Sequence, residues 1–222
     1  LINNANRAFM TRQGPFEPPY RLIDDLYGSR AGEDAFVFCP GPSMAAADLD
    51  VFEDRLTIAV NSAGFAFRAY APTLWAIFES NYMLQVLRSQ LIPKGRSFVF
   101  TPRVAIRWRG LGYTKKAPKA TYWVARFEEE RLMPHRTPSV ATMGAIATAY
   151  WLGCSRVFLI GMDVSRPGGQ PYVKGVPYGK DGATNPIEEQ IPALLQVRYP
   201  GMEILNCSPH SREVLRSAFQ PA

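Results

Sequence analysis

Residues 36–43 read Phe-Val-Phe-Cys-Pro-Gly-Pro-Ser, an apolar run that stops abruptly in a proline–glycine turn. A short apolar run bounded by turn residues reads as a buried parallel strand. Met44-Ala45-Ala46-Ala47 follows and reads as the start of a helix. With strand, tight turn and helix in succession, α/β folds present backbone N–H groups to an anionic ligand. Gly41 would let the backbone approach that ligand, and Ser43 would cap the helix. The same residues equally make a plain structural turn, since such a fingerprint depends on its context.

The pattern repeats downstream. Leu56–Val60 stops at Asn61-Ser62, and Thr73–Phe78 stops at Glu79-Ser80-Asn81. Arg156–Ile160 stops at Gly161-Met162-Asp163. In an open parallel sheet these ends share one edge, where ligands bind. Gly41, Pro42, Ser43, Asn61, Ser62, Glu79 and Asn81 are therefore the candidate nucleotide-binding residues. Each taken singly also fits an ordinary turn or cap. If Gly41 faces a phosphate, Gly41→Val should abolish nucleotide binding and leave the fold largely intact.

At 222 residues and 47% hydrophobic content, the chain can bury a substantial core. No run approaches the roughly 18–20 apolar residues that span a bilayer. The opening residues lack the apolar core of a signal peptide. Cys39, Cys154 and Cys207 are odd in number and spaced neither as CxxC nor as a metal site. Together these features predict a reducing, cytoplasmic setting. The net charge is +6 and the pI about 9.3. Basic residues gather between Lys94 and Arg136, interleaved with Trp108, Tyr113, Tyr122 and Trp123. Such a surface suits a nucleic acid, a phosphorylated glycan, an anionic membrane surface or simply solvent.

Residues 1–33 read as an N-terminal arm, broken by Pro15, Pro18 and Pro19 and ending in an amphipathic piece at 21–27. Residues 34–222 read as one Rossmann-like α/β domain: a mostly parallel sheet with helices on both faces. Within it, 102–136 reads as a basic insertion and 164–186 as a Gly-rich lid loop. The strongest helix signal is 138–152, with Ser139 as N-cap, an alanine-rich run and a Gly153 stop. Further strands are read at 97–101 and 202–206, and further helices at 82–91, 187–198 and 211–218.

There is no Walker-type GxxxxGK[ST], no HExxH and no GxSxG in the chain. The two histidines are His135 and His210, and either could serve as a general base. His210 and Asp163 are the candidate catalytic groups, both on the expected ligand edge. No metal site is predicted; Mg²⁺ is a candidate cofactor, because Glu79 and Asp163 offer hard oxygen ligands. Tyr172, Lys174, Tyr178 and Lys180 could close over a phosphate or lie on an ordinary surface loop.

Four blocks in order resemble the bacterial sialyltransferases that build lipooligosaccharide, and their glycosyltransferase-like relatives. They are Phe36–Ser43, Ile58–Asn61, Ala76–Asn81 and Ala149–Asp163. The wider group extends to the 6-hydroxymethylpterin diphosphokinases. The resemblance implies a Rossmann-like sheet whose glycine turn meets the nucleotide phosphate. It implies nucleotide contacts for Asn61 and Asn81, and a donor contact for Ser139 or Thr142. Tyr172 and Tyr178 match the spacing of two phosphate-binding tyrosines. Pro40 stands where the family turn has Asn, and residues 181–185 lack the family's histidine.

The expected activity is nucleotide-dependent transfer, with a nucleotide sugar as donor and a surface or lipid-linked glycan as acceptor. The alternatives are a Mg²⁺-dependent diphosphotransferase of the pterin type and an inactive nucleotide- or nucleic-acid-binding protein. No stable nucleic-acid partner is expected. Peripheral membrane contact and homo-oligomerisation are both open.

Overall fold

The computed structural model describes residues 20–67, 70–78, 97–100, 104–105, 121–124, 141–163 and 198–211. Eight strands lie in these segments: β1 Tyr20–Leu22, β2 Asp34–Phe38, β3 Leu56–Val60, β4 Leu74–Ile77, β5 Ser97–Phe100, β6 Thr121–Val124, β7 Arg156–Ile160 and β8 Glu203–Asn206. They form one sheet in the order β1-β6-β5-β4-β3-β2-β7-β8, and every neighbouring pair is parallel. The expected α/β class with a parallel Rossmann-like sheet is what the chain forms.

The apolar runs become central strands because both of their faces are covered. Alternate residues of β2, β3 and β7, such as Val37, Ile58 and Leu159, pack on one face. There they meet α1, Ala141–Trp151. Residues 142–149 of this helix are buried throughout. Its alanines and Gly144 are what let a helix lie that close to the sheet. The opposite face is aromatic: Phe38, Trp75, Phe98 and Phe100 pack with Met44, Phe65, Phe67, Val104 and Ala105. Burying each such large side chain stabilises the fold by about 1.5–3 kcal/mol.

Two expectations change. Thr121–Val124, read as part of an irregular basic insertion, is strand β6 and pairs with both β5 and β1. Its Thr-Tyr-Trp-Val sequence has high strand propensity, which the surrounding basic residues obscured. The residues before 34 also do more than form an arm. Tyr20–Leu22 adds the edge strand, Ile23 is buried in the core, and the Arg21 guanidinium sits 5.8 Å from the Trp123 ring centre. Gly28, Arg30 and Gly32 then donate backbone N–H groups to the carbonyls of Trp151, Leu152 and Gly153, closing the carboxyl end of α1.

The strand order places a topological switch between β2 and β7. From β2 the chain steps outward through β3, β4, β5 and β6. It then returns through α1 to β7, on the other side of β2. Open α/β sheets bind ligands outside the carboxyl ends of the strands at such a point.

Candidate functional site

At the switch point the turns after β2 and β7 meet back to back. The ladder runs on past the strand ends: Cys39 N–H donates to the Ile160 carbonyl at 2.7 Å, and Gly41 N–H to the Gly161 carbonyl at 2.9 Å. A Cβ on Gly41 would run into the Gly161 carbonyl oxygen and the Asp163 carboxylate. A Cβ on Gly161, whose φ is +75°, would run into the Cys39 carbonyl. The glycine at 41 is thus required by protein packing. This revises the expectation for Gly41→Val: its side chain would strike the neighbouring turn before it met any ligand.

Ser43 also differs from its expected role. The segment after the turn, Pro42–Ala46, is a short 3-10 turn with Gly41 at its N-cap position and no side-chain cap bond. Ser43 instead turns to Asp163. Its N–H donates to Asp163 Oδ2 at 2.7 Å, and its hydroxyl donates to Oδ1 in a short contact. Both residues are buried. The carboxylate therefore holds the β2 turn to the β7 turn with two charge-assisted bonds, each worth about 1.5–3 kcal/mol. Its oxygens are engaged inside the protein.

His210 reaches this cluster from the segment after β8, through its backbone. Its N–H donates to Ser43 Oγ at 3.1 Å, while the residue itself is exposed. Serine, aspartate and histidine do meet here, but not as a nucleophilic triad. In a triad the imidazole lies between hydroxyl and carboxylate; here the hydroxyl donates to the carboxylate directly.

One strand over, Asn61 ends β3 at φ +48°, and it is the one non-glycine residue with positive φ among the described residues. Asparagine tolerates this conformation better than most residues. Its carbonyl accepts from Trp75 Nε1 at 2.6 Å, and its Oδ1 accepts from Phe78 N–H at 3.2 Å. Asn61 thus ties the end of β3 to the end of β4. Next to it, the Ser62 hydroxyl is buried with no hydrogen-bond partner, the one such side-chain atom among the described residues. Native proteins leave few buried polar groups unpaired, so an exception asks for an explanation.

Thr142 opens α1 behind the turn, and its Oγ1 lies 3.3 Å from Cys39 Sγ. Burial pushes the Cys39 thiol up to about 12, and the nearby Asp163 charge adds to the rise. The Thr142 contact opposes both. A thiol held protonated at neutral pH is no nucleophile.

The structure therefore gathers Gly41, Pro42, Ser43, Asp163 and His210 at one point, with Thr142 behind them and Asn61–Ser62 at the end of the adjacent strand β3. Glu79, Asn81, Ser139, Tyr172 and Tyr178 lie outside the described residues, as does the whole segment 164–186. No group of three His, Cys, Asp or Glu that could hold a metal ion occurs among the described residues. Sequence reasoning missed Asn206, Ser208 and Ser211, which are buried beside the Met162 turn. The only signal for them was the polar residues scattered through Asn206–Ser211, at and just after the end of β8.

No family model matches the chain, and no curated protein matches it significantly. Among solved structures, the chain is similar to the sialyltransferase CstII from Campylobacter jejuni in complex with a substrate analogue, cytidine-5'-monophosphate. That match has a TM-score of 0.50 and 15% identity and covers 86% of each chain. A sialyltransferase Cst-II variant with one tyrosine-to-phenylalanine change, in complex with CMP, matches at a TM-score of 0.50 and 13% identity, again over 86% of each chain. At such identities the likeness is one of fold.

Proposed function

We propose that this chain is a nucleotide-dependent transferase of the glycosyltransferase type, taking a nucleotide sugar at the carboxyl edge beside β2 and β7. The observation that carries the reading is the convergence of the 41–43, 161–163 and 208–210 turns at the switch point of a parallel sheet. Ligands of such sheets bind there. The shared fold with CMP-bound sialyltransferases supports a cytidine nucleotide as the first ligand to test.

In this reading Asp163 and Ser43 build the floor of the site, and His210 is the exposed titratable group beside it. Transfer would join an acceptor hydroxyl oxygen to the anomeric carbon of the donor sugar. The bond from that carbon to the phosphate oxygen breaks, and the nucleotide leaves with the electron pair. The acceptor's proton goes to the His210 imidazole, which must come within about 3 Å of the hydroxyl, directly or through one water. A surface glycan or a lipid-linked glycan is the proposed acceptor.

The test is a thermal-shift and calorimetric panel of CMP, UDP, GDP, ATP and sugar nucleotides, each with and without Mg²⁺. A true ligand at one hundred times its dissociation constant raises stability by about 2.7 kcal/mol. No stabilisation by any nucleotide at millimolar concentration would sink the proposal. With the donor in hand, His210→Ala should cut turnover by roughly 10²–10⁴-fold and leave nucleotide affinity unchanged.

A further inference from the structure

The segment after β8 is bound more firmly than a connecting turn requires. Asn206, Ser208 and Ser211 are all buried. Ser208 N–H donates to Asn206 Oδ1 at 3.1 Å, and Asn206 Nδ2 donates to Ser211 Oγ at 2.9 Å. The two hydroxyls then grip one residue of the neighbouring turn. Met162 N–H donates to Ser208 Oγ at 2.8 Å, and Ser211 Oγ donates to the Met162 carbonyl at 3.1 Å. Met162 stands between Gly161, which abuts Gly41, and Asp163, which holds Ser43.

His210 lies between the two gripped serines. Its own N–H is tied to Ser43, so the segment is pinned on two sides while His210 itself remains exposed. A buried side-chain amide is costly wherever one of its bonds is missing. A fully satisfied network, by contrast, fixes one arrangement out of several. A network of this kind beneath an exposed histidine is suited to hold that histidine in place.

We propose that Asn206 is a positioning residue of the candidate site, setting His210 over the Ser43–Asp163 pair through Ser208 and Ser211. Its importance for turnover rests on the transferase reading above; its hold on His210 does not.

The test compares the full chain with Asn206→Leu, which is of similar size and lacks both polar arms. His135 and His210 are the two histidines. A ¹H–¹³C spectrum of the imidazole Cε1 positions therefore shows two signals, and His210→Ala assigns them. In the parent the His210 signal should be single and sharp. In Asn206→Leu it should broaden or double while the His135 signal stays in place. Amide exchange at Met162 and His210 should accelerate at least about tenfold, with the Val37 amide unchanged. If Asn206→Leu does not fold, Ser211→Ala removes one arm and should show the same changes at smaller size. A sharp, unmoved His210 signal with unchanged Met162 exchange in a folded variant overturns the proposal.

Titrating CMP into the parent is the separate arm. No response of the His210 signal at saturating CMP counts against the transferase reading for this nucleotide and leaves the Asn206 result standing. Where a donor turns over, Asn206→Leu should lower kcat about tenfold with the nucleotide Kd within twofold. A merely structural role would lower stability and leave both the His210 signal and kcat of the folded protein untouched.

Discussion

Gly41→Ala is the sharpest test of how the switch point is built. Gly41 has φ −70°, an ordinary value for any residue. Alanine there meets no backbone penalty, and its smaller unfolded-state entropy would by itself favour folding by about 0.4–1 kcal/mol. Any net loss must come from sterics. The added Cβ meets the Gly161 carbonyl oxygen, which is backbone, and the Asp163 carboxylate, which is engaged by Ser43. Neither can swing aside freely. Relief requires the two turns to part, at an overpacking cost of about 1–3 kcal/mol. Parting also weakens the Gly41-to-Gly161 bond and at least one charge-assisted bond to Asp163, a further loss of about 2–3 kcal/mol. The expected net destabilisation is about 2–5.5 kcal/mol, a large share of the roughly 5–15 kcal/mol that holds a domain together. For a chain of this size that lowers Tm by roughly 4–20 °C. Urea unfolding should show a lower midpoint with an unchanged slope. An Gly41→Ala protein with parental stability and lost nucleotide affinity would refute the reasoning. It would return the glycine to the ligand-facing role expected from the sequence.

Two further outcomes follow from single side chains. Ser62→Ala removes the unpartnered buried hydroxyl and should raise stability by up to about 1 kcal/mol in urea unfolding; if the hydroxyl serves a ligand, nucleotide affinity in calorimetry should fall in the same variant. The Cys39 thiol is held protonated up to about pH 12 when folded, whereas in the unfolded chain it ionises near its ordinary value of 9.0. The raised pKa means its contribution is intact below pH 9 and is lost as pH rises from there towards 12, at about 1.4 kcal/mol per pH unit. Urea unfolding of the parent and Cys39→Ala between pH 8 and 11 should show the steeper decline in the parent, and parallel curves would count against it.

The sheet was legible where strands are buried on both faces. Leu56–Val60 and Arg156–Ile160 were placed to the residue, because continuous apolar runs closed by polar turn residues admit little else. Thr121–Val124 was not, since its apolar signal is diluted by basic neighbours and its place depends on pairing with β1, far away in sequence. That Gly41, Ser43, Asp163 and His210 fall on one sheet edge was legible from their places just after apolar runs. What each of them does there was not. Ser43 as a partner of Asp163, and Gly41 as a packing requirement, arise from the distance between two turns 120 residues apart in sequence, which no local pattern records. The Asn206–Ser208–Ser211 network was hidden for the same reason, its chief target being Met162 on another strand's turn.

The pairing of β1 with β6 has a consequence for synthesis. Tyr20 pairs with Tyr122 in the backbone ladder, so β1 has no seat until about a hundred residues more have left the ribosome. At ~5–20 residues per second that wait lasts on the order of 5–20 seconds. During it, Ile23 has no core to enter, and the N–H groups of Gly28, Arg30 and Gly32 have no helix end to meet. Once β6 emerges, the edge that β1 fills stays open until Tyr20–Leu22 docks, and an open edge can recruit a strand from another chain. Chains shortened to begin at Asp34 would leave that edge open permanently, and the cell would have to handle them as self-associating material.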